Sequence, residues 1–266
     1  MGSSIVKVLV LRVEGTNCDL ETVEAFHMVN AEATLAHLNE LLRGEVDLND
    51  YHIFCIPGGF SYGDDLGAGK LLANQLKYRL RRDIESFLSE GRAIIGICNG
   101  FQALVKAGLL PAFEKPFLKQ EVTLALNEKG LFVDRWIYMR HEENCRCILT
   151  RGLNSKVLYV PVNHAEGRFI ASENTIKRLE EEGYVVFRYV DPHGRAIGHP
   201  WNPNGSMNDI AGICNADGNV LGLMPHPEKY VHQHLHPSWT RFYSNPEPDG
   251  LLFFKTIINN VVRNLI

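Results

Sequence analysis

Gly96-Ile97-Cys98-Asn99-Gly100 places a cysteine between two glycines, each two residues away, where a β-branched run ends and a helix-like run, Phe101 to Ala107, begins. This G-x-C-x-G spacing is that of a nucleophile elbow, a strained strand-to-helix turn with the nucleophile at its tip. Side chains at the flanking positions would collide, which gives both glycines a physical reason. The helix that follows turns its N–H groups and positive dipole end toward the sulfur and favours thiolate. Alone, the pentapeptide also fits a buried cysteine beside two packing glycines. A thiolate nucleophile needs a base and a group to orient that base, and Pro225-His226-Pro227-Glu228 supplies both. In an extended segment, which the two prolines favour, His226 and Glu228 share a face. The imidazole then takes the thiol proton while the carboxylate holds the ring and stabilises its cation. Acyl transfer through a thioester also needs donors for the developing oxyanion. Pro57-Gly58-Gly59-Phe60-Ser61-Tyr62-Gly63-Asp64 is a glycine-rich loop after a predicted strand, and the backbone N–H groups of Gly59 and Asn99 are the candidate donor pair. A phosphate loop is the poorer reading, because the G-x-x-x-x-G-K-[ST] pattern is absent.

The elements that must carry these residues alternate. Ile5 to Val13, Ala33 to His37, Tyr51 to Ile56 and Ala93 to Ile97 read as strands. Asp19 to Val29, Leu66 to Gln75 and Arg82 to Glu90 read as helices, with Gly91 as a C-cap. Such alternation predicts an α/β fold with a mostly parallel sheet covered on both faces. After Pro111 the pattern changes to short strand-like runs, Val122 to Leu126, Leu131 to Met139, Cys147 to Thr150 and Val157 to Val162, which predict antiparallel strands added to the parallel core. A helix over Thr175 to Glu182, a strand over Tyr184 to Val190, a hairpin of Ile210 to Cys214 with Val220 to Met224 and a last helix from Asp249 to Leu265 complete the reading. No repeat or long linker divides residues 1–266, so one domain is expected.

The chain carries 27 Lys+Arg against 31 Asp+Glu, a net charge of −4, and is 45% hydrophobic, which excludes disordered and disulfide-knot classes. That charge gives no reason to expect nucleic acid or an acidic membrane as partner. Six irregularly spaced cysteines and no secretory signal pattern point to the cytoplasm. Leu251 to Ile266 is apolar but broken by Lys255, Asn259, Asn260, Arg263 and Asn264, so it reads as an amphipathic helix. Cys145-x-Cys147 and the run His232, His234, His236 invite a metal, yet zinc sites space their cysteines differently and no second pair appears, so no metal is expected.

GICNGFQ at Gly96 to Gln102 and PHPE at Pro225 to Glu228 resemble the Cys and His-x-Glu elements of class I (triad) glutamine amidotransferases. With PGGFSYGD at Pro57 to Asp64, HAEGRF at His164 to Phe169 and NDIAGI at Asn208 to Ile213, the resemblance narrows to the family of glutaminase subunits of phosphoribosylformylglycinamidine synthase. It implies a flavodoxin-like doubly wound fold and hydrolysis of glutamine through a γ-glutamyl thioester on Cys98, with His226 as base and Glu228 as its orienter. It also implies that Gly58, Gln102, His164 and Glu166 help bind glutamine, and that no cofactor belongs to this chain. The implied partners are a large synthetase subunit, holding ATP and magnesium and using the ammonia in purine biosynthesis, and a small bridging subunit. Gly67, Asn163 and Ala165 depart from the usual family pattern, at partner contacts and the glutamine site, and residues 191–208 and those after Glu228 read as extra length. The rival expectations are a triad glutaminase serving another acceptor, a peptidase-like enzyme with the same elbow, and a catalytically silent binding subunit; intact Cys98, His226 and Glu228 argue against the last.

Overall fold

The computed structural model describes residues 5–117, 119–241 and 247–264, so residues 1–4 and the last residue of the expected C-terminal helix, Leu265, lie outside the described residues. Its strands are β1 (Lys7–Arg12), β2 (Glu32–His37), β3 (Ile53–Ile56), β4 (Ala93–Ile97), β5 (Thr123–Leu126), β6 (Val133–His141), β7 (Val157–His164), β8 (Glu166–Ile170), β9 (Val185–Val190), β10 (Ile210–Cys214) and β11 (Val220–Leu223). Its helices are α1 (Asp19–Met28), α2 (Leu38–Leu42), α3 (Lys70–Tyr78), α4 (Arg81–Ser89), α5 (Asn99–Ala107), α6 (Glu173–Glu181) and α7 (Asp249–Asn264). β3, β4 and β11 are continuous apolar runs buried at every residue, as strands covered on both faces must be.

One nine-stranded sheet has the order β2-β1-β3-β4-β11-β10-β9-β6-β7. Its first five strands are mutually parallel and follow the flavodoxin-like order, in which the chain steps outward from β1 in one direction and from β3 in the other. Right-handed crossovers therefore put α1 on one face and α3 to α5 on the opposite one. α7 joins α1, where the Phe26 and Phe254 rings meet edge to face at 4.9 Å. The remaining four strands pair antiparallel, as the texture after Pro111 predicts. Among the described residues no helix is long and apolar enough to cross a membrane.

Three local expectations change. Cys147 to Thr150 is no strand: Ile148–Thr150 is a 3₁₀ turn. The carbonyls of Leu149 and Arg151 are taken by the Asn260 side-chain amide of α7, at 3.1 and 2.8 Å, rather than by a neighbouring strand. Helix α3 starts at Lys70, since Gly67 and Gly69 hold φ of +96° and +71°, outside helical space. β8, which the sequence pattern does not announce, pairs with β5 in a separate two-stranded sheet.

Candidate active site

The loops after β1, β3, β4 and β11 all leave the same edge of the parallel sheet, the carboxyl ends of its strands, beside the switch point between β1 and β3. Open α/β sheets place their ligands there. β4 delivers Cys98, whose φ of +50° and ψ of −103° lie outside the ordinary regions for a side-chain-bearing residue. The turn is held from both sides: Cys98 N–H donates to Leu223 O at 2.8 Å, and Gln102 N–H donates to Cys98 O at 3.0 Å to open α5. Gly100 is obligatory, because a Cβ there would stand 1.9 Å from Ile56 O. Cys98 is 5% exposed, and its thiol points to Asn163 O at 3.7 Å.

β11 delivers Pro225 to Glu228, and here the local conformation differs from the extended one expected. Pro227–Tyr230 forms a 3₁₀ turn, with His226 N–H fixed to Pro161 O at 2.9 Å. The turn folds the carboxylate back onto its own histidine, so that His226 Nδ1 and Glu228 Oε1 are 2.5 Å apart, with each residue 1% exposed. Burial by itself would lower the His226 pKa, but the Glu228 carboxylate and then the Cys98 and Cys18 sulfurs outweigh it and raise it well above the ordinary imidazole value. His226 Nε2, the nitrogen free to serve a thiol, makes no hydrogen bond in good geometry among the described residues.

β3 delivers the glycine loop. Gly59 has φ +145°, and a Cβ there would meet Asn17 N at 2.8 Å and Gly15 O at 2.9 Å, so only glycine fits against the loop after β1. Phe60 N–H donates to Gly15 O (2.9 Å) and Cys18 N–H to Gly58 O (3.3 Å), while the Gly59 N–H has no backbone acceptor among the described residues. Asn99 N–H heads α5, where first-turn donors have no intrahelical partner. Gly58 faces the histidine instead of the substrate space: its Cβ would lie 2.6 Å from His226 Cε1. Tyr62, Gly63 and Asp64 follow in left-handed conformation, with φ of 54°, 69° and 54°. The Asn99 side chain fastens this loop, accepting from Ser61 N–H (3.1 Å) and donating to Asp64 Oδ1 (3.0 Å) and Gln102 Oε1 (3.0 Å). Burial raises the Asp64 pKa despite hydrogen bonds from the Gly69 N–H and the Asn99 amide.

A cavity of about 230 Å³ opens on Cys98 and is lined also by Gly59, Asp64, Gln102, His164 and Glu166. Gln102 Nε2 donates to Glu166 O, and Glu166 Oε2 accepts from Ala68 N–H at 3.2 Å with Lys106 Nζ at 3.5 Å. Lys106 Nζ also lies 3.5 Å from where a Gly67 Cβ would be, so α5 supplies a cation to that loop. His164 Nδ1 meets Asn127 Oδ1 at 3.1 Å, and burial, followed by the neighbouring His226, pushes its pKa down to about 3, so it is neutral.

A second Cys–His pair, Cys145 Sγ to His141 Nε2 at 3.3 Å, borders a larger cavity of about 640 Å³ between β6 and α6. Its electrostatics run the other way: burial lowers His141 to about 4, while burial and then Cys147 raise Cys145 to about 11. Neutral thiol beside neutral imidazole is unreactive, so size does not identify the site. Among the described residues the one trio close enough to share an ion is Cys18, His226 and Glu228, whose ligand atoms lie within 4.8 Å. The short His226–Glu228 hydrogen bond already occupies that pair. His232 pairs with Glu24 at 2.7 Å and stacks on His234, while His236 packs among Trp136, Tyr159 and Tyr230. Cys18 is the residue that the motifs do not reveal: nothing in sequence spacing links it to Pro225 to Glu228.

Comparison with known proteins gives three concordant findings. The family model described as a CobB/CobQ-like glutamine amidotransferase domain matches residues 5–259. The phosphoribosylformylglycinamidine synthase subunit PurQ of Dehalococcoides mccartyi is 44% identical over 256 residues, 96% of this chain and 97% of the relative. That of Archaeoglobus fulgidus is 44% identical over 84% of this chain and 87% of its own. A chain in the structure of PurLQS from Thermotoga maritima has a TM-score of 0.73 and 29% identity, covering 96% of this chain and 99% of that one. The residues that read as extra length are thus shared at least with the Dehalococcoides relative, whose alignment is nearly end to end.

Proposed function

The chain belongs to the CobB/CobQ-like glutamine amidotransferase family and, within it, to the PurQ subunits of phosphoribosylformylglycinamidine synthase, and from that premise we propose how its residues divide the work. His226 takes the Cys98 thiol proton as the sulfur attacks the carboxamide carbon of glutamine, and the carbonyl electrons move onto oxygen, toward the N–H groups of Gly59 and Asn99. Protonated His226 gives its proton to the departing nitrogen, and ammonia leaves a γ-glutamyl thioester on Cys98. Water then gives a proton to His226 and attacks the thioester; the C–S bond breaks, His226 returns that proton to the leaving sulfur, and the product departs as glutamic acid, which ionises to glutamate. Glu228 holds the ring and carries the compensating charge throughout. Gln102, His164 and Glu166 shape the cavity for glutamine, with Gly58 seating the histidine beside them.

The observation that carries this reading is a strained cysteine at a helix head that lines a small cavity with Gly59 and whose sulfur acts on a buried His–Glu pair. The ammonia serves a large synthetase subunit that holds ATP and magnesium and converts formylglycinamide ribonucleotide to the amidine, with a small bridging subunit completing the assembly. The solved PurLQS relative supports an assembled state for this chain.

The test is a pair of assays on the assembled complex. Cys98→Ala should abolish amidine formation from glutamine while formation from free ammonia continues. Loss of both with the complex intact would refute this division of labour.

A further inference from the structure

Cys18 stands at the head of α1, in the loop after β1, and the reaction above makes no use of it. Its sulfur nevertheless reaches the catalytic pair, with ligand atoms of Cys18, His226 and Glu228 within 4.8 Å of one another and all three residues buried. Gly58 sets the space between them: its Cβ would lie 2.6 Å from His226 Cε1 and 3.4 Å from Cys18 Sγ, so thiol and imidazole edge flank the same bare backbone. The thiol proton is directed elsewhere, because Cys18 Sγ donates to Asn17 Oδ1 at 3.2 Å. That leaves the sulfur lone pairs for its other neighbours. His226 Nε2 and Glu228 Oε2 are buried without a hydrogen-bond partner among the described residues, a place where any polarisable neighbour matters. The loop itself is braced: Cys18 N–H donates to Gly58 O (3.3 Å), Tyr62 N–H to Glu14 O (2.7 Å), and Thr22 Oγ1 to Cys18 O (2.6 Å).

We infer that Cys18 is a positioning residue of the glutaminase centre, its sulfur, oriented by Asn17, fixing the His226 ring against Gly58 and in line with Glu228. This rests on the glutaminase reading of Cys98, His226 and Glu228. The groups facing the ring from each packed element are Glu228 on its own turn, Cys98 on the elbow, Cys18 from the loop after β1 and neutral His164 from β7. Behind the carboxylate, β3 contributes Cys55, whose thiol burial and then Glu228 push well up. Of these, Glu228, Cys98 and Cys18 favour the imidazolium, while burial opposes it. Cys18 does not line the 230 Å³ cavity, so its effect falls on turnover rather than on glutamine binding.

The experiment compares wild type, Cys18→Ser and Cys18→Ala in the assembled complex, with glutamine turnover followed against pH. In Cys18→Ala, kcat should fall about 3- to 10-fold with KM within about twofold, and the basic limb of kcat/KM should move to lower pH, since the imidazolium has lost a stabilising neighbour. Cys18→Ser keeps an acceptor at the position, so its limb should lie between the other two. A purely structural role would cost rate equally at every pH and leave the limb in place. That result, or either variant coinciding with wild type, overturns the inference. If the alanine variant does not fold, the limb of the serine variant decides. A wild-type complex unable to hydrolyse glutamine would instead refute the underlying reading.

Discussion

Gly100→Ala strikes the junction that places the nucleophile. Gly100 is the second residue of α5, and a Cβ there would lie 1.9 Å from Ile56 O and 2.8 Å from Ile56 C, at the carboxyl end of β3. Going from 1.9 Å to an ordinary contact of 3.4 Å requires helix and strand to part by about 1.5 Å. Neither gives way easily, because the obstacle is backbone in a strand buried at every residue. Cys98 sits at the head of the same helix with its N–H tied to Leu223 O, so the displacement is passed to Sγ. Misplacing a reacting group by about 1 Å costs on the order of 10²-fold in rate, and overpacking costs about 1–3 kcal/mol of stability. Initial-rate assays should therefore show glutamine turnover reduced about 100-fold or more, with ammonia-dependent synthesis retained and the melting temperature lowered. Gly96→Ala should be milder, since its nearest obstacle, Leu104 Cδ1 at 2.5 Å, is the end of a side chain that can swing, although Gly100 backbone follows at 2.8 Å. Turnover of Gly100→Ala within about threefold of wild type would refute this account of the elbow.

Glu228→Gln should fold yet lose about two to four orders of magnitude in thioester formation, because an amide can hold the ring but cannot balance its charge; turnover within a factor of about two of wild type would remove Glu228 from the mechanism. The amide also puts an NH₂ where one Glu228 oxygen is buried without a partner, so a stability loss of about 1–3 kcal/mol should accompany it in urea titrations. His141 is held at about 4 against an ordinary 6.5 by burial. A depressed histidine is protonated more readily in the unfolded chain, so its contribution is full above pH 6.5 and is lost as pH falls toward 4. His141→Gln should therefore reduce the stability lost between neutral pH and about pH 4.5 by on the order of 2 kcal/mol, and identical urea midpoint shifts for variant and wild type would refute the buried neutral state.

What the sequence discloses depends on how local the constraint is. The elbow is legible because an apolar strand, two glycines, a cysteine and the helix start fall within one short stretch, and the structure returns β4 with the predicted bounds. The pairing of His226 with Glu228 is legible, but the conformation that makes it is not. Prolines suit both extended and 3₁₀ backbone, and the choice is made by Pro161 O, a tertiary acceptor on β7. β8 escapes notice because Glu166-Gly167-Arg168 has no apolar alternation. Its residues answer to the site, with Glu166 lining the cavity and Gly167 leaving room for His164, whose ring atoms would be as close as 2.4 Å to a Cβ. Cys18 is invisible for a related reason: its contact with His226 exists because the loops of β1, β3 and β11 leave one sheet edge together, a consequence of strand order that no spacing encodes.

The proposed reaction turns on one covalent step, the passage of glutamine through a thioester on Cys98. Mixing the assembled complex with glutamine, quenching in acid within the first turnover and measuring the intact mass of this chain tests it most directly. A single γ-glutamyl adduct should map to the peptide containing Cys98, grow with glutamine concentration and be absent from Cys98→Ala. An adduct on another cysteine, or full glutamine turnover by Cys98→Ala, would contradict it.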